Sequence, residues 1–387
     1  MNKVLFDLTS TQSSSESPVH GGGEYAKFVF YAALKFSKRL VCFYDAKREL
    51  DKSIFHKCTS ANVELIAIES HKDISELLER DDIQTLYSAL PYEYDSLELH
   101  GKRFVGTVHG IRSVECPTDK FEYIYKLSKK SQLRSFVGNL VKSRSSRKEN
   151  AKKSFAKLLY KSNFEIITDS IHSKYSMLAH YPELNSENIV VFRCPYNFDK
   201  TSIKESLKSR DYFLLVSANR WIKNNYRSII ALDQLFSEQK LEQNVVVLGC
   251  GEVDFSKHVV NRDKFIFEGY VEETKLNDYF SNAYAFIYST LNEGYGYPPI
   301  KAMEYGTPVL ASSNTSVHEV CKDAAIYFNP LSISELKTRI LTLVNEQSLR
   351  EKIIENGFQV VEDLKGSNQM QLDDIVHYIF EIRDEYA

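Results

Sequence analysis

The sequence predicts an α/β protein made of two doubly wound domains, each with a parallel sheet. Its 387 residues exceed what one hydrophobic core usually organises, so two domains are expected. Short apolar runs alternate with amphipathic stretches along nearly the whole chain, a pattern typical of parallel strands joined by crossover helices. A polar stretch with Lys and Ser at residues 199–210 separates two such series.

The predicted strands fall on either side of this polar stretch. Those of the first series are Val4–Leu8, Leu40–Tyr44, Val63–Ile68, Thr85–Ser88, Arg103–Val108, Phe164–Thr168 and Ile189–Phe192. Those of the second series are Tyr212–Ser217, Val245–Leu248, Lys264–Phe267, Ala285–Tyr288, Pro308–Ala311 and Ala325–Phe328. Helical spacing is found between them, for example at Glu24–Ser37, Tyr226–Phe236 and Ser332–Val344.

These elements define the expected domains. We expect an N-terminal domain at residues 1–198, a linker at 199–210, a C-terminal domain at 211–365, and a C-terminal helix at 366–387 that packs back on the N-terminal domain. In open α/β sheets the ligand binds beyond the carboxyl ends of the strands. The functional site is therefore expected in a cleft between the two domains.

Composition and charge limit the class of protein. The six cysteines are scattered, with no CxxC pair and no histidine at zinc-ligand spacing, which is typical of reduced thiols in the cytosol. Lys3 and Asp7 within the first apolar run argue against a signal peptide, and no window approaches 18 apolar residues. A formal net charge of −3 argues against nucleic-acid binding. We expect a cytoplasmic protein.

Residues 120–161 depart from this charge balance. They contain thirteen Lys and Arg against two Glu, a local charge of +11 that leaves −14 for the rest of the chain. Apolar side chains such as Tyr125, Leu133 and Leu158 are interleaved with the cations. A basic helix pair with one apolar face suits an anionic membrane surface, at about 1 kcal/mol per basic residue. The alternative is that the apolar side chains pack on the first domain and the lysines are solvated.

The most informative pattern lies where the strand Ala285–Tyr288 runs into a glycine-containing loop. The loop reads Glu293, Gly294, Tyr295, Gly296 and Tyr297. Pro298 and Pro299 then begin a helix, and proline is favoured in a first helical turn. Glycine permits close backbone approach, and the N–H groups at a helix start attract phosphate. The loop is therefore a candidate phosphate site.

This loop belongs to a longer matching string that continues with Ala302-Met303, Gly306, Pro308-Val309 and Glu319-Val320. The string closely resembles the signature of the glycosyl transferases group 1, the retaining glycosyltransferases of family 4, whose GT-B fold has two Rossmann-like domains. The resemblance covers the second domain well and the first only loosely. It implies a nucleotide-diphosphate sugar in the second domain, with Glu293 contacting the sugar hydroxyls as the first glutamate of the family's E-x7-E motif. The alternative role for Glu293 is to cap the turn.

The second glutamate of that motif is replaced by Lys301. In the family this carboxylate accepts hydrogen bonds from the nucleotide ribose, and an ammonium group, which has donors only, cannot do so. Glu304 lies three residues later on roughly the same helix face and is a candidate for the ribose. Alternatively, Lys301 and Glu304 pair with each other on the surface.

The stretch Tyr212–Asn224 resembles the strand and loop that open the family's donor domain. The resemblance implies that Lys223, and at an offset position Arg220, face the diphosphate; the alternative is two exposed cations in a polar loop. Preorganised cations stabilise the charge on a departing diphosphate. No Asp-x-Asp triplet occurs, so we expect neither a metal nor a cofactor. Tyr270 and Val271 lie in a turn that commonly borders the nucleobase in the family.

In the first domain, Gly22 and Gly23 lie between the first strand and the first helix. They resemble the family's glycine loop, which lies beside the donor phosphates and the acceptor. His109 ends a predicted strand, where family members often carry a histidine next to the donor sugar. It is expected either to orient the sugar or to assist deprotonation of the acceptor, and a purely structural histidine is the alternative.

Together these features predict a metal-independent, retaining glycosyltransferase at the inner face of a membrane. It would move a hexose or deoxyhexose to a glycan acceptor, which the basic segment suggests is lipid-linked, in O-antigen, capsule or exopolysaccharide assembly. One alternative is a catalytically silent GT-B subunit that binds a glycan or a partner transferase, which Lys301 favours. Another is a nucleotide-sugar 2-epimerase.

Overall fold

The computed structural model describes residues 2–12, 21–141, 144–198 and 210–381. Residues 199–209 of the expected linker, residues 382–387 of the expected C-terminal helix, and residues 142–143 of the basic segment lie outside the described residues. Contacts divide the chain into two compact units. The first unit comprises Met1–Ile111, Ala151–Tyr196 and Ser367–Ala387, and the second comprises Arg112–Asn150 and Asn197–Gly366.

The first unit contains a seven-stranded sheet in which all neighbouring strands are parallel. Its strands are β1 (Lys3–Asp7), β2 (Leu40–Asp45), β3 (Glu64–Ile68), β4 (Ile83–Ser88), β5 (Arg103–Thr107), β6 (Phe164–Thr168) and β7 (Ile189–Val191). The order β3-β2-β1-β4-β5-β6-β7 reverses the winding direction between β1 and β4. Central strands are buried on both faces, as Leu5 and Phe6 are, which explains their continuous apolar sequence.

The second unit contains a six-stranded parallel sheet with the order β10-β9-β8-β11-β12-β13. Its strands are β8 (Tyr212–Leu215), β9 (Asn244–Val247), β10 (Phe265–Phe267), β11 (Ala285–Tyr288), β12 (Val309–Ser312) and β13 (Ala325–Phe328). The winding direction reverses between β8 and β11. Every strand predicted in either series is present, and its ends lie within two residues of the predicted ones.

The helices alternate with these strands. They are α1 (Gly21–Ala33), α2 (Lys52–Ser60), α3 (His71–Leu78), α4 (Arg112–Glu115), α5 (Lys129–Val141), α6 (Arg144–Leu159), α7 (Ile171–His180), α8 (Asn225–Ser237), α9 (Glu273–Asn282), α10 (Tyr297–Glu304), α11 (Val317–Cys321), α12 (Ile333–Asn345) and α13 (Gln347–Phe380). The helix predicted at Glu24–Ser37 gives way after Ala33 to a 3-10 turn that leads into β2. Among the described residues, no helix has both the length and the apolar character needed to cross a bilayer.

Residues 112–150 belong to the second unit and not to the N-terminal domain, which is where they were expected. The cause is apolar packing, because Ile124 and Tyr125 are buried in the core of the second unit. The ring of Tyr125 packs edge-on against Phe255 at 5.6 Å, and its hydroxyl accepts a hydrogen bond from the Tyr226 backbone N–H at 3.0 Å. The expected boundary at residue 198 therefore does not separate the two units.

The last part of α13 belongs to the first unit. The guanidinium of Arg103 donates hydrogen bonds to the carbonyl oxygens of Tyr378 at 3.1 Å and Ile379 at 3.0 Å. Arg39 donates similarly to the carbonyl oxygen of Phe380 at 2.9 Å. These side chains donate to carbonyl groups near the end of the helix, where intrahelical donors run out, and the carbonyl of Tyr378 also accepts from the Glu381 backbone N–H at 3.3 Å.

Candidate functional site

Lys223 and Glu293 form a buried ion pair in the second unit. The Nζ of Lys223 lies 2.5 Å from Oε1 of Glu293, and the two side chains are 10% and 9% exposed. Lys223 lies in a short helical turn after β8, and Glu293 lies in the loop after β11. Because β8 and β11 are neighbouring parallel strands, the loops at their carboxyl ends meet. Thr290 Oγ1 donates a second hydrogen bond to the same Glu293 oxygen at 2.8 Å.

Positive charge dominates the surroundings of Glu293. Burial by itself would raise its pKa, but Lys223 and Arg112 outweigh burial and lower the pKa of Glu293 to about 2. Burial lowers the pKa of Lys223, and the neighbouring cations Arg220 and Arg112 lower it further, while Glu293 opposes both. Desolvation and then Arg112 also lower the pKa of Arg220. Three cations surround one carboxylate, and this excess of positive charge suits an anionic ligand such as a phosphate.

The loop at residues 293–297 is fixed by Ser316. Its Oγ donates hydrogen bonds to the carbonyl oxygens of Glu293 at 3.1 Å and Tyr295 at 2.9 Å. Gly296 has φ +117°, a conformation that side-chain-bearing residues rarely adopt, so the glycine is required for the turn into α10. Because the loop is held by hydrogen bonds before any ligand arrives, its geometry is preorganised.

Lys301 and Glu304 do interact, but inside the packed domain. The Nζ of Lys301 lies 3.9 Å from Oε2 of Glu304, and the Glu304 side chain is 0% exposed. Lys301 also lies over the ring of Tyr305, 5.4 Å from its centroid. A carboxylate that does not reach the surface cannot present itself to a ribose, so this geometry removes Glu304 from the candidate ligand contacts. Lys301 remains the candidate ligand contact at the position of the motif's second glutamate.

The turn containing Tyr270 and Val271 follows β10. It is joined to the turn after β9 by two backbone hydrogen bonds, from Gly249 to Gly269 at 2.9 Å and from Cys250 to Glu268 at 3.0 Å. Tyr270 is 66% exposed, which leaves its ring accessible for stacking on a planar group. This exposure is compatible with the predicted contact to a nucleobase.

In the first unit, His109 and Asp169 follow the neighbouring strands β5 and β6. His109 Nδ1 lies 2.6 Å from Oδ2 of Asp169, and its Nε2 lies 3.1 Å from the carbonyl oxygen of Ala89, just beyond β4. The ring of Tyr25, on α1, meets the imidazole edge-on at 4.9 Å. Three neighbouring strand ends and one helix therefore fix the position of His109.

Gly22 and Gly23 lie in the first turn of α1. A Cβ atom on Gly22 would lie 2.9 Å from the Leu90 side chain, so the absence of a side chain permits close packing there. Tyr25 lies one helical turn later and contacts His109. The structure thus brings the glycine turn and His109 into one region of the first unit.

Arg112, which lies near Glu293, was not predicted as a site residue. Two hydrogen-bonded contacts that hold residues 112–119 against the rest of the second unit were not predicted either. Asn292 Nδ2 donates to Glu115 Oε2 at 2.7 Å, directly beside Glu293 in the chain. Arg227 donates two hydrogen bonds to the carboxylate of Asp119, at 3.0 and 2.7 Å. The charged residues just before the basic segment were the only sequence feature that could have pointed to these contacts. Nothing local in the sequence identifies partners so distant along the chain.

Most of the second unit is similar to a known protein family. Residues 198–360 match the model of the family described as glycosyl transferases group 1. The O-antigen chain mannosyltransferase RfbU of Salmonella typhimurium is 33% identical over 173 residues, 43% of this chain and 46% of that protein. O-antigen chain mannosyltransferase B of Escherichia coli is 31% identical over 100 residues, 26% of each chain. The match thus spans about half the length of the first relative and about a quarter of the second.

Solved structures resemble the chain over nearly its whole length. Sucrose-phosphate synthase from Thermosynechococcus elongatus has a TM-score of 0.68 at 13% identity, covering 99% of this chain and 100% of that one. HepE from Anabaena, in complex with UDP and glucose, has a TM-score of 0.65 at 13% identity, covering 97% and 99%. WaaG, a glycosyltransferase involved in lipopolysaccharide biosynthesis, has a TM-score of 0.64 at 14% identity, covering 97% and 99%. The predicted α/β fold of two Rossmann-like, doubly wound domains, of the GT-B type, is confirmed.

Proposed function

We propose that this chain is a retaining glycosyltransferase that moves a hexose or deoxyhexose from a nucleotide-diphosphate sugar to a glycan acceptor in surface polysaccharide biosynthesis. The observation that carries the proposal is the cluster of Lys223, Arg220 and Arg112 around Glu293, in the unit that contains the glycosyltransferase match. The O-antigen mannosyltransferases among the relatives support a glycan acceptor and make mannose the first sugar to test.

The cluster fits the charge changes of sugar transfer. When the bond between the anomeric carbon and the diphosphate breaks, negative charge develops on the leaving diphosphate. Cations already in place stabilise that charge without reorganisation, which is usually the largest single contribution to catalysis. We propose that Lys223, Arg220 and Arg112 supply this charge, so that transfer proceeds without a metal. A carboxylate has about four lone-pair positions, so Glu293 can accept hydrogen bonds from sugar hydroxyls beside those from Lys223 and Thr290.

A ligand panel tests the proposal. The full chain is incubated with UDP, GDP and their hexose and deoxyhexose derivatives, with and without EDTA, while its thermal unfolding is followed. We expect one nucleotide sugar to raise the unfolding temperature, because a ligand that binds only the folded state stabilises it. EDTA should not change this. When a glycan acceptor is added with the donor, the sugar transferred to its hydroxyl should keep the anomeric configuration of the donor by NMR.

Two outcomes of the same panel would overturn the proposal. Lys301 in place of the motif's second glutamate supports the alternative of a catalytically silent subunit, and no stabilisation by any nucleotide or nucleotide sugar would favour it. Conversion of the nucleotide sugar itself, with no transfer, would favour the epimerase.

We further propose that α5 rests on an anionic membrane surface, where a lipid-linked acceptor would be found. Residues 129, 130, 133, 134 and 137 lie on one face of this helix and are all exposed. That face combines cations with apolar side chains: Leu133 is 63% exposed and Val137 44%. Leu127, just before the helix, is 63% exposed. Exposed apolar side chains among basic ones are typical of helices that lie in a membrane interface.

Replacing Lys129, Lys130 and Arg134 together by serine is expected to weaken binding to anionic lipid vesicles about 100-fold, because each basic residue contributes roughly 1 kcal/mol near such a surface. Sedimentation with phosphatidylserine-containing and neutral vesicles measures the effect. Serine at Lys240, Lys257 and Lys275, exposed cations elsewhere on the second unit, changes the net charge equally and is the matched control. Equal losses in both variants, or none in either, would refute a docking role for α5.

A further inference from the structure

The hydrogen bonds around His109 determine its protonation state. Its Nδ1 faces a carboxylate oxygen of Asp169 at 2.6 Å, and its Nε2 faces the carbonyl oxygen of Ala89 at 3.1 Å. Both partners are acceptors. A neutral imidazole has one N–H and one lone pair, so either tautomer would direct a lone pair at an oxygen atom. Only the doubly protonated ring satisfies both contacts.

The burial of Asp169 also favours a positive charge on His109. Asp169 is 2% exposed, and its Oδ1 has no hydrogen-bond partner among the described residues. A buried carboxylate is costly unless a positive charge compensates it. In the part of the chain that the structure describes, the ion partner of Asp169 is His109. A positive charge on the imidazole therefore balances the buried negative charge of Asp169.

Tyr25, Tyr92 and Cys194 are further described groups near His109. Tyr25 meets the ring edge-on, and burial raises its pKa well above the usual value, so it stays neutral. The hydroxyl of Tyr92 accepts a hydrogen bond from the His109 backbone N–H at 3.1 Å. Cys194 Sγ lies within 4.8 Å of the His109 and Asp169 ligand atoms.

A histidine, an aspartate and a cysteine this close together could suggest a metal site. The distance between His109 and Asp169 instead indicates a proton shared between them. Two atoms bound tetrahedrally to one zinc ion at 2.0–2.1 Å lie roughly 3.3 Å apart. His109 Nδ1 and Asp169 Oδ2 are 2.6 Å apart, which is the length of a short charge-assisted hydrogen bond.

We propose that Asp169 is a positioning residue that holds His109 as an imidazolium ion. His109 then acts as a fixed positive charge and hydrogen-bond donor, and it cannot take a proton from an acceptor hydroxyl. This excludes one of the two roles expected for it from the sequence. The consequence for transfer rests on the proposed function, whereas the protonation state itself does not.

The test is NMR of the full chain labelled with 15N-histidine, in which His109→Gln identifies the His109 ring signals. We expect both ring nitrogens to carry protons from about pH 6 to about pH 8.5, a range in which an ordinary histidine becomes neutral. In Asp169→Asn the ring should become neutral within that range. A neutral His109 in the unchanged protein near pH 8 would overturn the proposal, as would a stoichiometric metal ion in the purified protein.

A control and an activity arm complete the experiment. Asp7→Asn replaces another buried carboxylate of the first unit, one bonded to the hydroxyls of Ser88 and Tyr94, and should leave the His109 signals unchanged. If the panel yields transfer, kcat/KM of the unchanged protein should show no titration of a base with the pKa of an ordinary histidine. If the panel yields none, the proposed function has failed, while the NMR result still decides the state of His109.

Discussion

Replacing Lys223 by methionine is expected to slow sugar transfer by about 10²–10³-fold, because the variant lacks a positive group preorganised for the leaving diphosphate. It should also destabilise the second unit by about 3–5 kcal/mol, since removal of one partner of a buried pair leaves the other charge uncompensated. Initial rates at saturating donor measure the first effect, and urea unfolding measures the second.

The double variant Lys223→Met, Glu293→Gln separates these two effects. It removes both charges of the pair, so most of the lost unfolding free energy should return while transfer stays slow. Lys275→Met is the control for an exposed pair, with its Nζ 2.8 Å from Glu268, and should change the unfolding free energy by no more than about 1 kcal/mol. Recovery of transfer in the double variant would show that the Lys223 charge takes no part in the reaction.

Replacing Arg112 by glutamine is expected to lower kcat/KM by about 10²-fold, the lower end of the cost of losing one preorganised charged group. Arg112 is exposed, so the unfolding free energy should stay within about 0.5 kcal/mol of the original. Because the pKa of Glu293 is about 2, this carboxylate stays ionised near neutral pH. The decrease in kcat/KM therefore reports the missing positive charge of Arg112.

Arg262→Gln is the matched control, because Arg262 is an exposed arginine elsewhere on the second unit. It carries the same change in net charge and should leave kcat/KM unchanged. If both variants lost rate equally, a general electrostatic effect would explain the result. If Arg112→Gln unfolded more easily in proportion to its loss of rate, Arg112 would be a structural residue.

Local sequence was sufficient for the strands, and their order explains why Lys223 and Glu293 meet, although the ion pair between them was not predicted. Each of these residues follows a strongly apolar strand, and the winding order of a doubly wound sheet brings those two strand ends together. The role of Glu304 could not be predicted in this way. Helical spacing correctly places Glu304 beside Lys301. The complete burial of Glu304 depends on how the rest of the domain packs around it, and the spacing of residues along one helix carries no information about that packing.

The segment around Arg112 shows a second limit. Asp119 pairs with Arg227, 108 residues away, and Glu115 pairs with Asn292, 177 residues away. Nothing in the local pattern identifies such partners. The basic stretch shows the same limit, since composition alone does not tell that Tyr125 is buried whereas Leu133 is exposed.

The discontinuity of both units also has a consequence for the order of folding during synthesis. The second unit needs Asp119, Ile124 and Tyr125, which leave the ribosome before any strand of its sheet. The first unit needs residues 367–381, which are synthesised after the whole of the second unit. The first unit therefore cannot be completed before the second has been made. A fragment restricted to the matched residues 198–360 would lack Asp119 and leave the buried Arg227 without its carboxylate partner.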